Sequence, residues 1–286
     1  MNPARGRFLA NRGAVVGAGL VVLMLLCAVG GPLLASDPVV RDVDGGLSSM
    51  GAPLPPSSHS WLGTDHLGRD VLARVIACAG SSLSMATAAT MIALAIGLLI
   101  GLVAGYAGGW LDNALMRLVD LVLSFPFLLL AILLAALLRE AGLASGNAPV
   151  FLTLGIVSWT TMARVIRGKA MSIARGEYVT AARAIGAGPA RIVVRHILPN
   201  LSGIVIVMTA LTFAQNLLAE SVLSYLGLGP PPPTPTWGRM LYEGRVYYRT
   251  APWLVIAPGT AILLAVVAFN LLGEGLRDLV DPKARR

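Results

Sequence analysis

The feature that most limits what this chain can fold into is a succession of apolar runs, at residues 13–35, 82–108, 118–138, 149–166, 201–223 and 253–272. At about 1.5 Å per residue, helices of this length cross a hydrocarbon core of roughly 30 Å. A helix also satisfies its own backbone hydrogen bonds in a region without water. Composition agrees: 56% of residues are hydrophobic and only 13% charged, against about 25% charged residues in a soluble domain. The expected fold class is an all-α polytopic membrane protein with six transmembrane helices. Its expected divisions are a cytoplasmic N-terminus and first spanning helix over 1–35, an extracytoplasmic loop over 36–81, and a core of five spanning helices over 82–286. That core carries a cytoplasmic loop at 167–199.

The net charge of +8 would suggest nucleic acid as the partner of a soluble chain. In a membrane protein the position of the charges matters more than their sum, and lipid rather than nucleic acid is the expected contact. Of the 22 Lys and Arg, all but Arg41, Arg69, Arg74, Arg139, Arg239, Arg245 and Arg249 fall on the N-terminal side of the six-span topology. This bias predicts both termini and the 167–199 loop in the cytoplasm. Arg5, Arg7 and Arg12 ahead of the first run also suit a cleaved signal peptide, with Ala28-Val29-Gly30 as a weak cleavage site. The run is long for that purpose.

Polar and small residues within the runs are few and therefore informative. Gly97, Gly101 and Gly105 recur every four residues, a stripe that lets two helices pack closely in lipid. Residues 109–117 read as a short loop, Asp120 lies near the inner end of the third run, and Pro126 in Ser124-Phe125-Pro126 predicts a kink. The fifth run is the most polar, with Thr212, Gln215, Asn216 and Glu220 in it and Ser224 at its outer end. Such groups face protein or water, because exposure to lipid is costly. Gln215 and Asn216 are adjacent and cannot share a face, so at least one is expected to bond to a neighbouring helix. Ser124, Gln215, Asn216 and Glu220 are the candidate residues of a pathway or gate. Ahead of the second run, Asp65, Arg69 and Asp70 cluster; read locally, Asp65 caps a turn and Asp70 pairs with Arg74 four residues on.

Residues 177–200, EYVTAARAIGAGPARIVVRHILPN, form the only long basic amphipathic stretch. Tyr178, Ala181, Ala182 and Ile185 recur at i, i+3, i+4 and i+7 and share a helix face, with Glu177, Thr180 and Arg183 away from it. Gly186, Gly188 and Pro189 break that helix, and Pro189 is placed to begin a second, in which Arg191 and Arg195 lie one turn apart. The result is a helix-turn-helix knob with a small-residue face and a cationic face. It suits docking to a partner or lying on the membrane surface. No P-loop occurs, since Gly168-Lys169 is followed by Ala170, and neither H-E-x-x-H nor G-x-S-x-G is present. Cys27, Cys78, His59, His66 and His196 lack metal-ligand spacing. The chain is expected to have no catalytic site, metal or cofactor of its own.

Several of these stretches resemble the second permease subunit of dipeptide, oligopeptide and nickel ABC importers. Gly63-Thr64-Asp65-x-x-Gly68-Arg69-Asp70 is similar to a signature of that subunit. Ala181, Ala182, Gly186, Leu198 and Pro199 have the spacing of the ABC-importer coupling loop, with Thr180 where an acid is usual and His196 where Ile is usual; Glu177, one turn earlier, offers an acid instead. Tyr225-Leu226-Gly227-Leu228-Gly229, Trp237-Gly238, Pro252-Trp253, Asn270-Leu271-Leu272-Gly273-x-Gly275-Leu276-Arg277-Asp278 and Asp281-Pro282 extend the likeness to the C-terminus. The resemblance implies a type I ABC-importer permease fold in the cytoplasmic (inner) membrane of a bacterium, and ATP-driven import of peptides. It implies a second homologous permease, two ATPase subunits that carry the ATP and Mg, and an extracytoplasmic substrate-binding protein. Glu177, Tyr178, Ala181, Ala182, Arg183, Gly186 and Pro199 would then couple to the ATPase, and Asp65, Gly68, Arg69 and Asp70 would face the binding protein or the outer gate. Close relatives take nickel chelates or glutathione. An ion-coupled transporter using Asp120 and Glu220 leaves the knob unexplained, and a non-transporting scaffold implies no substrate-dependent ATP hydrolysis.

Overall fold

The computed structural model describes residues 11–34, 42, 45–142, 146–232 and 234–280. Arg5, Arg7, Pro233, Asp281 and Pro282 lie outside the described residues. Helices follow one another as α1 (Arg12–Leu34), α2 (Val71–Ala107), α3 (Gly109–Leu123), α4 (Phe127–Glu140), α5 (Ala148–Ala174), α6 (Glu177–Ala184), α7 (Pro189–Ile192), α8 (Leu198–Tyr225), α9 (Trp237–Gly244) and α10 (Trp253–Val280). Among the described residues the only β-pairings are the isolated bridges Leu47–Pro53 and Thr64–Asp70. Five segments are long and apolar enough to span a membrane, and α3 with α4 makes a sixth as a broken pair bent by 87°.

Three expected boundaries change. The second spanning helix begins at Val71 rather than residue 82, because Asp70 caps it, accepting from the Ala73 amide at 2.8 Å. Residues 109–117 are helical rather than a loop: Gly108 takes a positive φ of 63° and turns the chain directly into α3. Pro126 breaks the third span outright instead of kinking it. Without an N–H, and with its ring disfavouring helix at Phe125, it starts α4 afresh, while the Ser124 amide and hydroxyl donate to the carbonyls of Asp120 and Leu121 at the end of α3.

The most extensive helix contact joins α2 to α5 along the glycine stripe. A Cβ placed on Gly97, Gly101 or Gly105 would lie 2.6–2.9 Å from the carbonyl oxygens of Trp159, Ala163 and Arg167. Only a residue without a side chain permits this approach, and in lipid close packing of this kind does much of what the hydrophobic effect does in water. Around the pair, α8 and α10 close the bundle through Phe213, Leu217, Ile262 and Ala265, and α1 joins them through Met24. Gly17 lies against Leu271, and Gly275 against Ala14, so α1 and α10 also touch backbone to backbone.

Between α7 and α8 the helix widens into a π-turn over Val193–Ile197, where the Leu198 amide donates to the Val193 carbonyl. Pro199 explains the widening: its ring needs the carbonyl one turn earlier to move aside, and a π-bulge does this without ending the helix. The second arm of the knob is thereby continuous with a spanning helix.

Gly101→Leu is expected to separate α2 from α5 and cost about 1–3 kcal/mol, lowering the thermal midpoint of the purified protein in detergent. Gly19→Leu, at a position where no atom lies within 4 Å of an added Cβ, is expected to leave that midpoint unchanged. Equal midpoints for both variants would contradict the packing described.

Candidate functional site

At one end of the bundle, α6 and α7 form the knob. Val179 turns inward and packs with Ile192, Ile197, Leu201, Ile173 and Ala174, and Ala182 is buried as well, so the knob sits on the ends of α5 and α8. This alters the expected face: Ala182 belongs to the buried side, whereas Ala181 is exposed. The sequence holds two apolar faces, because Ala181 and Ala182 are about 100° apart on the helix. The outer face keeps Tyr178 at 48% and Ile185 at 87% exposure. Gly186 ends α6 with a φ of 85°, its amide and that of Ala187 donating back to Arg183 and Ala182, the left-handed helix stop that glycine best fills. Arg183 lies 5.3 Å over the Tyr106 ring at the end of α2. Tyr178 and His196 lie with their rings tilted by 47° and their centroids 6.3 Å apart, and Glu177 and Pro199 are exposed.

At the opposite end an ion clasp gathers the Asp65–Asp70 cluster. Gly63 and Gly68 take positive φ values of 75° and 77°, curling the chain so that Asp65 Oδ1 accepts from the amides of Leu67 (2.8 Å) and Arg69 (3.0 Å). Its Oδ2 accepts from Arg69 Nε at 2.7 Å and Arg74 Nη1 at 2.6 Å, and the same two guanidiniums reach Glu243 Oε2 on α9 at 3.1 and 2.9 Å. Asp65 caps a turn as expected. The expected Asp70–Arg74 pair is replaced by Arg74 bonds to Asp65 and to the distant Glu243, because Asp70 is engaged as the cap of α2. Burial raises the Asp65 and Glu243 carboxyls, but the arginines outweigh it and hold both below their ordinary values. Burial lowers the His66 imidazole, which stacks on Tyr247 at 5.9 Å. Asp65, His66 and Glu243 lie close enough to share a cation. Two guanidiniums already occupy that space, so the donor set suits arginine and opposes a metal.

Trp237 locks α9 in place. Its indole N–H donates to the Val75 carbonyl at 2.9 Å, and the Trp253 indole donates to Thr64 at 3.1 Å. Arg139, in the last turn of α4, donates to the carbonyls of Gly227 and Gly229, so the Tyr225–Gly229 stretch is a helix stop pinned to the end of a neighbouring helix.

Between the two ends, a cavity of about 390 Å³ opens where the α3–α4 break meets α5 and α8. Leu123, Phe125, Ser158, Thr161, Gln215 and Leu218 are among its lining residues. Of the candidate pathway residues, Gln215 borders this cavity and Ser124 sits between two of its lining residues. Asn216 and Glu220 do not line it. Asn216 is fully buried, donating to Thr90 Oγ1 on α2 at 3.1 Å, the interhelix bond anticipated for one of the adjacent pair. Glu220 is also fully buried and accepts from Ser224 Oγ at 2.7 Å. Ser158 and Thr161 were missed from sequence; on their spanning helix Thr161 is exposed and Ser158 half-buried.

Comparison with known proteins bears on the family and the fold. Residues 97–286 match the family described as binding-protein-dependent transport system inner membrane component, and residues 3–56 match the N-terminal transmembrane domain of oligopeptide transport permease C. The chain is 40% identical over 282 residues to the oligopeptide transport system permease protein OppC of Escherichia coli (strain K12), covering 99% of this chain and 91% of that protein. It is 40% identical over 279 residues to the glutathione transport system permease protein GsiD of Shigella flexneri serotype 5b (strain 8401), covering 98% and 89%. Its fold is similar to a chain of the MetNI methionine ABC transporter in an inward-facing conformation, with a TM-score of 0.62 and 18% identity over 73% of this chain and 96% of that one.

Arg74→Met is expected to leave two acids without their shared cation and to destabilise the protein by about 3–5 kcal/mol, read by chemical denaturation in detergent. Asp70→Asn, which affects only a cap, should cost about 1 kcal/mol or less. Because both clasp carboxyls are held low, their stabilisation is complete above the ordinary values of 3.8 and 4.5 and is lost as pH falls through the lower folded values. The Arg74→Met protein should lose most of this acid dependence; an undiminished dependence would contradict the clasp.

Proposed function

The chain belongs to the family of binding-protein-dependent transport system inner membrane components and is a permease subunit of an ABC importer, and we propose that it passes peptides inward by a mechanical coupling through the α6–α7 knob. The observation that carries this reading is the exposed face of Tyr178, Ala181 and Ile185 on a knob whose other face is buried against α5 and α8. An apolar face of this kind is costly in water and suits a groove on a cytoplasmic ATPase. The knob end is the cytoplasmic side and the clasp end the extracytoplasmic side, in keeping with the distribution of Lys and Arg.

ATP and Mg bind the two ATPase subunits, and this chain supplies no catalytic group. A second, homologous permease completes the path, and a substrate-binding protein delivers solute at the clasp end. Closure of the ATPases moves the knob. Because Val179, Ile192 and Ile197 fasten it to α5 and α8, both helices move with it, and they carry Ser158, Thr161 and Gln215 of the cavity. The cavity mixes apolar walls with a few hydroxyl and amide groups. That chemistry suits solutes of variable side chain sharing a peptide backbone. Relatives named for oligopeptide and for glutathione both fit this class.

Two variants test the coupling. Ala181→Trp alters only an exposed position and is expected to leave the protein inserted and folded, yet to reduce binding-protein-dependent uptake at least about tenfold, since a bulky group blocks seating of the knob. Gly186→Pro should act similarly, because proline cannot adopt a positive φ. Normal uptake, or normal retention of ATPase subunits in a pull-down of Ala181→Trp, would contradict docking through this face.

A further inference from the structure

We propose that the Asp120–Arg164 ion pair is a charge-selecting element of the translocation path, offering one carboxylate and one guanidinium to the charged groups of a passing solute. This rests on the permease reading above. Asp120 on α3 and Arg164 on α5 form a salt bridge, with their side chains 51% and 50% exposed. Arg164 lies within a segment long and apolar enough to span the membrane. Half-exposed charges in a spanning helix do not face lipid; their open side faces water or a polar partner.

Position assigns the pair to the cavity. Thr161 is one turn from Arg164 and Leu123 is one turn from Asp120, and both line the cavity. The ion pair therefore stands at its rim, on the side nearer the knob. Thr161, Arg164 and Gly168 are exposed in succession along α5, continuing the cavity's polar lining past the pair.

A purely structural role is already filled by other groups. Arg167 donates through Nε and Nη2 to the two oxygens of Asp112, a forked bond between the same two helices, and Asp112 is only 8% exposed. Val119, fully buried beside Trp159 and Ala163, adds an apolar contact between α3 and α5. The exposed Asp120–Arg164 pair adds little to stability, so its two opposite charges remain available to a solute. A peptide carries an ammonium and a carboxylate, and a side chain of either sign, and each finds a counter-charge there.

The test uses the complete complex with its binding protein in liposomes, and compares uptake of Ala-Lys-Ala and Ala-Glu-Ala by the unaltered chain, Asp120→Asn and Arg164→Gln. Arg164→Gln leaves a lone carboxylate and is expected to lower the acidic-to-basic uptake ratio about fivefold, the effect of one charge at short range in a partly hydrated site. Asp120→Asn leaves a lone guanidinium and should raise the ratio by a similar factor. The ratio is internal to each variant, so reduced assembly does not alter it, and either variant alone carries the test. An unchanged ratio, with both peptides slowed equally or not at all, would assign the pair a structural role and overturn the proposal. Absence of binding-protein-dependent uptake by the unaltered complex would instead overturn the permease reading itself.

Discussion

The structure depends on the contact between α2 and α5, where three glycines bring one helix onto the backbone carbonyls of the other. In lipid, apolar side chains gain little by leaving their surroundings, so close approach and internal hydrogen bonding must hold the helices together. The α2–α5 pair provides the approach, and Asn216 adds a buried bond from α8 to Thr90 on α2. With this centre rigid, the bundle has two specialised ends. Rigidity matters because the knob is useful for coupling only if the helices that carry it do not flex away a displacement.

The two ends use opposite chemistry. At the clasp end, charges are buried and paired across a large sequence separation, so Asp65, Arg69, Arg74 and Glu243 tie the segment before α2 to α9 as one unit. At the knob end the inner face is apolar and buried, while the outer face is left uncovered. One end pairs its charges within the chain, and the other leaves an apolar face uncovered. This asymmetry is what a membrane subunit needs if its driving partner binds on one side.

The architecture was legible from sequence wherever a rule is local. Apolar run length revealed the spans, the four-residue glycine spacing pointed to close packing, and the adjacency of Gln215 and Asn216 required one of them to bond to another helix. Less was legible where partners are distant. Arg74 has Asp70 four residues earlier, the local choice, yet it binds Glu243, 169 residues away, and no periodicity announces such a pair. At Pro126 the sequence suggested a kink; the chain instead ends one helix and starts another, bent by 87° from the first. The face of α6 was ambiguous because Val179, Ala181 and Ala182 describe two apolar surfaces, and only the helices beneath the knob decide which is buried. For the pathway, Asn216 and Glu220 of α8 are buried packing partners, whereas Gln215 borders the cavity together with Ser158 and Thr161, less conspicuous on α5.

The central claim is that displacement of the knob reorients the cavity through α5 and α8. It is tested most directly with a single cysteine at Thr161 in a chain whose Cys27 and Cys78 have been replaced, assembled with its partners and probed with a membrane-impermeant thiol reagent. Without nucleotide the site is expected to label from the knob side; with ATP trapped on the partner subunits it should become protected there and label from the clasp side. Labelling from the same side in both states would contradict the coupling.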